Sequence, residues 1–340
     1  MKAIVIEKPG AVALREVPDP QPGDGDVLLQ PMAGGICGTD VHILEGNFLG
    51  RYPVIPCHEF SAQVVAVGAS VEGLEAGDRV SVDPNLRCGH CVHCRSGAVN
   101  LCSAYEAVGV TLPGGFAGLV AVPARNVYPF RGLTYSEAAF AEPLACVLYG
   151  QSRLTVPEGA DVLLFGAGAI GLLHLQICAG VRGASVVVVD RDPGRHALAR
   201  RFGAREVIGG SEDPEQELRR LQPEGWDVII EATGSGTALQ AAFGHLRRGG
   251  QMLVFGVYPR EDLLRLSSFD LFVNDWTIRG SFTYRHEFAE ALQLMSSGRV
   301  DVRSLVNRQI ALEEVPETLR RLAAHEKTGK VHVAMEPRSL

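Results

Sequence analysis

Four of the eight cysteines crowd into one short stretch, Cys88-Gly89-His90-Cys91-Val92-His93-Cys94 followed by Cys102. The others stand at positions 37, 57, 146 and 178. The crowded set is a C-x2-C-x2-C-x7-C run. Four thiolates so spaced in a glycine-containing loop can close a tetrahedral zinc shell with no open position, the mark of a structural metal site. His90 and His93 are interleaved with it, but an all-thiolate set is complete without them. In a cytosolic chain of this size, metal binding is a better expectation than disulfides.

A second group is looser. Cys37 lies in Gly35-Ile36-Cys37-Gly38-Thr39-Asp40-Val41-His42, His58 and Glu59 follow in Pro56-Cys57-His58-Glu59-Phe60, and Glu142 sits in Ala141-Glu142-Pro143-Leu144. Sulfur, imidazole and carboxylate are all zinc ligands, and three protein ligands with one open position suit catalysis. Spacing alone leaves two readings open: a catalytic metal site, or a buried cysteine, a core histidine and surface acids.

The third chemical motif is Gly166-Ala167-Gly168-Ala169-Ile170-Gly171, a G-x-G-x-x-G run after the apolar Leu163-Leu164-Phe165. Gly166 permits a tight turn, Gly168 lets the backbone approach a pyrophosphate, and Gly171 lets helix and strand pack closely. Asp190 ends the next apolar run, where an acid can hold both hydroxyls of an adenosine ribose. Its charge would repel a 2′-phosphate, so NAD is expected over NADP. Arg191 and Arg195 complicate this, since a guanidinium can screen that charge, stack on adenine, or simply be solvated.

These motifs need elements to hold them. The first 150 residues read as β-rich, with short runs at Ala3–Ile6, Val27–Pro31, Phe60–Val67, Arg79–Val82 and Leu119–Val122 between Gly, Pro and Asp turn signals. From Val156-Pro157-Glu158-Gly159 onward, strands and helices alternate. The pattern predicts strands at Asp161–Phe165, Ser185–Asp190, Glu206–Ile208, Trp226–Ala232, Gln251–Val257 and Trp276–Gly280. It predicts helices at Ala169–Val181, Pro193–Phe202, Pro214–Leu221 and Gly236–Leu246. Six buried strands with intervening helices describe a doubly wound dinucleotide fold. The last 60 residues, with helices near His286–Ser297 and Leu312–Ala324 and a strand near Val331–Ala334, do not extend that repeat. We expect them to return to the first domain. The expected domains are therefore 1–150 with 283–340, carrying a cysteine lobe at 85–103, and 151–282 for the dinucleotide.

Composition narrows the function class. The chain has 340 residues, 46% hydrophobic and 21% charged, with 32 basic against 39 acidic residues and a net charge of −7. That balance disfavours nucleic acid as the main partner. No apolar run reaches the length of a membrane span, and the N-terminus lacks a signal-peptide pattern, so a cytosolic protein is expected.

Together these motifs resemble the zinc-containing medium-chain dehydrogenases, especially the sorbitol, xylitol and arabinitol branch and its threonine dehydrogenase relatives. The similarity runs from GICGTDVH through CHEF, GDRV, the four-cysteine lobe, EPLACVLYG, GAGAIG and VVVVD to LVNRQIALEEV. It implies a GroES-like, β-rich catalytic domain joined to a Rossmann NAD-binding domain, with the active site in the cleft between them. It implies that Cys37, His58 and Glu59 hold a catalytic zinc. Glu142 would hold it directly or through water, where ordinary alcohol dehydrogenases place a cysteine. Cys146 reads as a packed core thiol. Cys57 departs from the family's usual glycine and reads as a small residue that fits, the alternatives being another metal ligand or a redox-sensitive thiol.

The implied reaction is reversible oxidation of a secondary alcohol, with a polyol as the expected substrate. The implied proton route runs from Thr39 through the cofactor ribose to His42; histidine suits such a role because its ordinary pKa lies near neutrality. The alternative for His42 is a surface or packing histidine. By similarity to polyol enzymes, Phe48, Phe116 and Tyr284 line the pocket. Thr283 stands where sorbitol dehydrogenases carry an arginine, which argues against a simple sorbitol assignment; Arg285 either compensates or is surface charge. The competing readings are an L-threonine 3-dehydrogenase or general alcohol dehydrogenase, and a dinucleotide-binding protein without catalysis. The resemblance also implies a homo-oligomer, a tetramer over a dimer.

Overall fold

The computed structural model describes residues 1–209, 214–259, 262–326 and 328–336. The chain divides into two compact units, Met1–Pro143 with Arg285–Leu340, and Leu144–Tyr284.

In the first unit, alternating apolar residues build one dominant sheet. Its order is Val306–Ala311, Lys330–Ala334, Asp26–Gly35, Glu59–Val67, Arg79–Val82 and Val127–Pro129, with Val120–Pro123 also pairing to Asp26–Gly35. Neighbours run antiparallel except for the Val306–Ala311 and Lys330–Ala334 pair. A hairpin of Lys2–Lys8 and Ala11–Glu16 stands beside it. The core gathers Ile4, Leu29, Phe60, Val80, Phe116, Val122 and Val333, all buried. Burying such side chains stabilises the unit by roughly 1.5–3 kcal/mol each. The strand Lys330–Ala334 joins this first-unit sheet beside Asp26–Gly35. Val306–Ala311 escapes the sequence pattern because Asn307, Arg308 and Gln309 are exposed and leave no apolar alternation.

The second unit holds six parallel strands: β1 Asp161–Phe165, β2 Ser185–Val189, β3 Ala204–Ile208, β4 Trp226–Glu231, β5 Leu246–Val254 and β6 Thr277–Gly280. Their order is β3-β2-β1-β4-β5-β6. This is the doubly wound arrangement, with the order of strand addition reversing between β1 and β4. The central strands are apolar nearly throughout because helices cover both faces. Most strand boundaries lie within a residue or two of the periodic pattern, and the larger departures lie at two helices. The helix after β4 stops at Phe243, so β5 starts at Leu246 and ends at Val254 rather than Val257. The helix after β1 is α-helical only over Ala169–Leu175, then widens into a π turn over Gln176–Val181, with Arg182 N–H donating to Ile177 O. Among the described residues, no helix is long and apolar enough to cross a membrane.

Candidate metal centres and dinucleotide site

Cys37 caps the helix Gly38–Glu45 just past the end of strand Asp26–Gly35. Asp40 sits three residues on and accepts the Cys37 N–H at 2.9 Å. Glu59 opens the next strand with His58 just before it, and the register pairs Gly35 with Glu59. Sheet register thus closes the gap that sequence spacing leaves open. The Cys37 sulfur, a His58 ring nitrogen and a Glu59 oxygen lie within 4.8 Å of one another. A separation of that order lets one ion with ligand bonds of about 2.0–2.3 Å be shared by a sulfur, a nitrogen and an oxygen.

The electrostatics agree. His58, Glu59, Glu142 and Asp40 are all buried. Burial disfavours a charged His58, yet Cys37, Asp40 and Glu142 outweigh it and hold its pKa well above the usual value. Its Nδ1 has no hydrogen-bond partner and stands 3.8 Å from Asp40 Oδ1. Such a buried, electron-rich cluster with an unsatisfied ring nitrogen fits a divalent cation of borderline softness. Glu142 is not part of the converging trio. It acts on the charge of His58 from the first turn of helix Ala141–Ser152.

Sequence reasoning missed two groups here. Asp40 lies inside the quoted segment; its place three residues after Cys37, at the start of a helix, is a capping signal that could have flagged it. Lys330 is the other. Its ammonium pairs with Glu59 Oε2 and donates to Ile36 O at 3.1 Å. Burial raises the pKa of Glu59, but Lys330 and then His58 override it and keep the carboxyl below its ordinary range. No motif surrounds Lys330. A Cβ on Gly35 would fall on Glu59 Oε2 and 3.0 Å from Lys330 Nζ, so glycine leaves the room this pair occupies.

Cys57 is buried at φ 84°, and its thiol donates to Glu59 O at 3.6 Å. Burial, then Asp40 and Glu59, push its pKa well up. The Cys37 thiol reaches Thr39 Oγ1 at 3.6 Å. His42 lies one turn along the same helix, 30% exposed, with Nδ1 3.4 Å from Glu45 Oε2. Cys146 is half-buried rather than fully packed.

The pocket aromatics are placed differently from one another. Phe48 packs, partly buried, against the first core. Phe116 has no exposed surface and stands 3.2 Å from where a Cβ on Gly34 would sit, so here it is a packing residue. Tyr284 is likewise fully buried. Thr283 adopts φ 45° with its buried hydroxyl unsatisfied. Arg285 Nε donates to Asn100 Oδ1 at 3.3 Å.

The thiol sulfurs of Cys88, Cys91, Cys94 and Cys102 also lie within 4.8 Å of one another. Backbone N–H groups of Cys88, Cys91 and Cys94 point at Cys102, Cys88 and Cys91 sulfurs at 3.3–3.4 Å. N–H groups of Cys94 and Ser103 pull the Cys91 pKa down to about 5. Val92 and Leu101 are 67% and 49% exposed, so this lobe lacks an apolar centre of its own. A four-thiolate metal shell is the organising core it fits.

In the second unit, Gly166 takes φ 102° after β1, and a Cβ on Gly171 would fall on Gly166 O. Ala169 and Ile170 open the helix, half-buried. Asp190 Oδ2 accepts the Ala167 N–H at 2.6 Å, and its Oδ1 accepts the Asp192 N–H at 2.8 Å. Arg195 reaches Asp190 at 3.5 Å and Asp192 at 3.3 Å, and its guanidinium stands 3.6 Å from a Cβ built on Gly168. Arg191 is exposed. The acid is thus held against the glycine turn, at the carboxyl ends of the strands, where dinucleotides bind.

Residues 23–132 match the family described as Alcohol dehydrogenase GroES-like domain, and residues 169–297 match Zinc-binding dehydrogenase. The chain is 33% identical over 332 residues to D-arabinitol dehydrogenase 1 of Uromyces fabae, covering 96% of this chain and 95% of that protein. It is 35% identical over 342 residues to D-altritol 5-dehydrogenase of Agrobacterium fabrum, covering 99% and 100%. A solved structure from Sinorhizobium meliloti 1021, described as a zinc-binding dehydrogenase bound to NADP, superposes with a TM-score of 0.93 at 33% identity. The match covers 98% of each chain.

Proposed function

We propose a function for this chain from one premise: it belongs to the zinc-binding alcohol dehydrogenase family. It transfers a hydride from a secondary hydroxyl of a polyol to NAD, leaving a ketone. The observation that carries this reading is the convergence of Cys37, His58 and Glu59 in a buried, electron-rich cluster. These three would hold a catalytic zinc, which when bound supplies the Lewis acidity that lowers the pKa of a substrate hydroxyl. Cys88, Cys91, Cys94 and Cys102 would hold a second, structural zinc.

The chain's own groups do the rest. Glu142 adds negative charge beside His58, which makes the environment oxygen-rich, and the arabinitol and altritol relatives support a polyol. The Thr39 hydroxyl, in contact with Cys37, would relay the departing proton, accepting it as it releases its own, and His42 at the helix surface would be the terminal base that passes it to water. Gly166, Gly168 and Gly171 with the start of the following helix cradle the pyrophosphate, and Asp190 holds the adenosine ribose. The Asp190 charge favours NAD, although the Sinorhizobium relative was solved with NADP.

The first unit serves as the catalytic domain and the second as the cofactor domain. A homo-oligomer, tetramer over dimer, is supported by the sheet-edge strand β6 and by Phe269 and Phe272, 70% and 82% exposed on the helix Ser268–Val273. The eight free thiols suit a reducing cytosol.

A panel of polyols, simple alcohols and L-threonine, run with NAD and with NADP and followed by absorbance of the reduced cofactor, tests this. Highest kcat/KM on a polyol with NAD supports the reading. Preference for threonine or NADP corrects the substrate or cofactor. No turnover by zinc-loaded protein overturns it.

A further inference from the structure

Glu231 ends β4 with no exposed surface, a carboxylate directly after the buried apolar run Val228-Ile229-Ile230. Its partners are neutral donors. The Thr233 N–H donates to Oε1 at 2.8 Å, the Thr233 hydroxyl donates to the same oxygen, and the Tyr258 hydroxyl donates to Oε2. The Glu231 main-chain oxygen meanwhile accepts N–H groups of Phe255 at 3.0 Å and Gly256 at 3.1 Å. One residue therefore binds both the segment leaving β4 and the segment leaving β5.

Glycine permits the closeness. A Cβ on Gly256 would stand 2.5 Å from Gly234 N and 2.9 Å from Glu231 Oε2, and a Cβ on Gly234, at φ 71°, would stand 2.8 Å from Val257 O. The network also reaches the phosphate turn. A Cβ on Gly166 would meet the Thr233 methyl at 3.1 Å, and Thr233 Oγ1 accepts the Ser235 N–H at 3.0 Å, where the next helix begins.

Burying a carboxylate among apolar strands is costly, and a fold alone has no need of one here. Burial raises the pKa of this group above the ordinary carboxyl value, although the Thr233 donors act against it. The position explains what the cost maintains. Asp190, after β2, marks the adenosine side, so the other half of a dinucleotide lies over the carboxyl ends of β4 and β5.

We propose that Glu231 is a positioning residue for the nicotinamide half of the cofactor, locking Thr233–Gly234 and Gly256–Tyr258 in the geometry that half requires. The proposal rests on the dinucleotide reading above.

The test titrates wild type and Glu231→Ala with NADH, followed by its fluorescence, and with ADP-ribose, which lacks the nicotinamide. Loss of a buried acceptor for three donors is expected to weaken NADH by about tenfold or more while leaving ADP-ribose within about twofold. Glu231→Gln, whose amide oxygen can still accept from Thr233, recovers most of the loss. Should Glu231→Ala not fold, Thr233→Val and Tyr258→Phe each remove one partner, and each is expected to weaken NADH selectively. Unchanged NADH binding, or equal weakening of both ligands, overturns the proposal. Wild type that binds neither ligand overturns the dinucleotide reading itself, a result distinct from any variant effect.

Discussion

Lys330 and Glu59, 271 residues apart in the chain, form an ion pair with side chains only 9% and 2% exposed. The lysine lies on the strand Lys330–Ala334, beside Gly35, and the glutamate faces it from the start of Glu59–Val67. A proposed metal ligand is thus already matched by a cation from the far end of the sequence. Charge balance at the site is a property of the sheet, not of the motif.

Removing the cation exposes that balance. Lys330→Met leaves Glu59 buried without its partner, which is expected to destabilise the protein by about 3–5 kcal/mol. A divalent cation would offset part of this, so added zinc should raise the melting temperature of Lys330→Met more than that of wild type. Thermal melts with and without zinc check it; equal shifts would count against Glu59 facing the metal.

Cys57 separates strain from ligation. At φ 84° a non-glycine backbone costs about 1–2 kcal/mol, whereas a lost buried sulfur costs about 1 kcal/mol. Cys57→Gly should therefore fall within about 1 kcal/mol of wild-type stability and keep its full zinc content, while Cys57→Ala, which keeps the strain, should be the less stable. Gly34 adds a coupling. A Cβ there would stand 2.6 Å from Cys57 Sγ, so Gly34→Ala should cost less in the Cys57→Gly background. Denaturant unfolding and metal analysis decide both points; zinc loss in Cys57→Ala would make Cys57 a ligand.

The cysteine lobe should depend on its metal alone. Cys94→Ser is expected to lower bound zinc by one ion per chain and to open the 88–102 segment to proteases, because the lobe has no apolar centre to fall back on. Limited proteolysis with mass mapping reads this directly. Cleavage elsewhere, with 88–102 intact, would contradict it.

Two buried histidines predict acid sensitivity. Burial pushes His174 and His332 down to about 3, from an ordinary value near 6.5. Between those values the unfolded chain binds protons that the folded chain does not, so stability falls as pH drops from 6.5 toward 3. Each contributes a slope of about 1.4 kcal/mol per pH unit. His174→Phe should remove its share of that slope, whatever it does to absolute stability. Urea midpoints from pH 7 to 4.5 measure the slope; an unchanged one would exclude His174.

Much of this protein is legible where the physics is local. The cysteine spacing at 88–102, the glycine turn at 166–171 and the strand–helix alternation after Val156 each depend on residues a few positions apart. Short-range sterics and ligand geometry therefore act directly on the sequence pattern. What only the tertiary structure decided is non-local. The Gly35–Glu59 register brings Cys37 to His58 and Glu59. The pairing of His332 with Gly35 brings Lys330 alongside them, and close packing withdraws Phe116 from the surface. Such juxtapositions follow from strand pairing and core packing summed over the whole unit, and no local pattern encodes which distant partner arrives. Glu231 belongs to the same class: in the sequence it is one acid at a strand end, and only the neighbouring β5 segment makes it a junction.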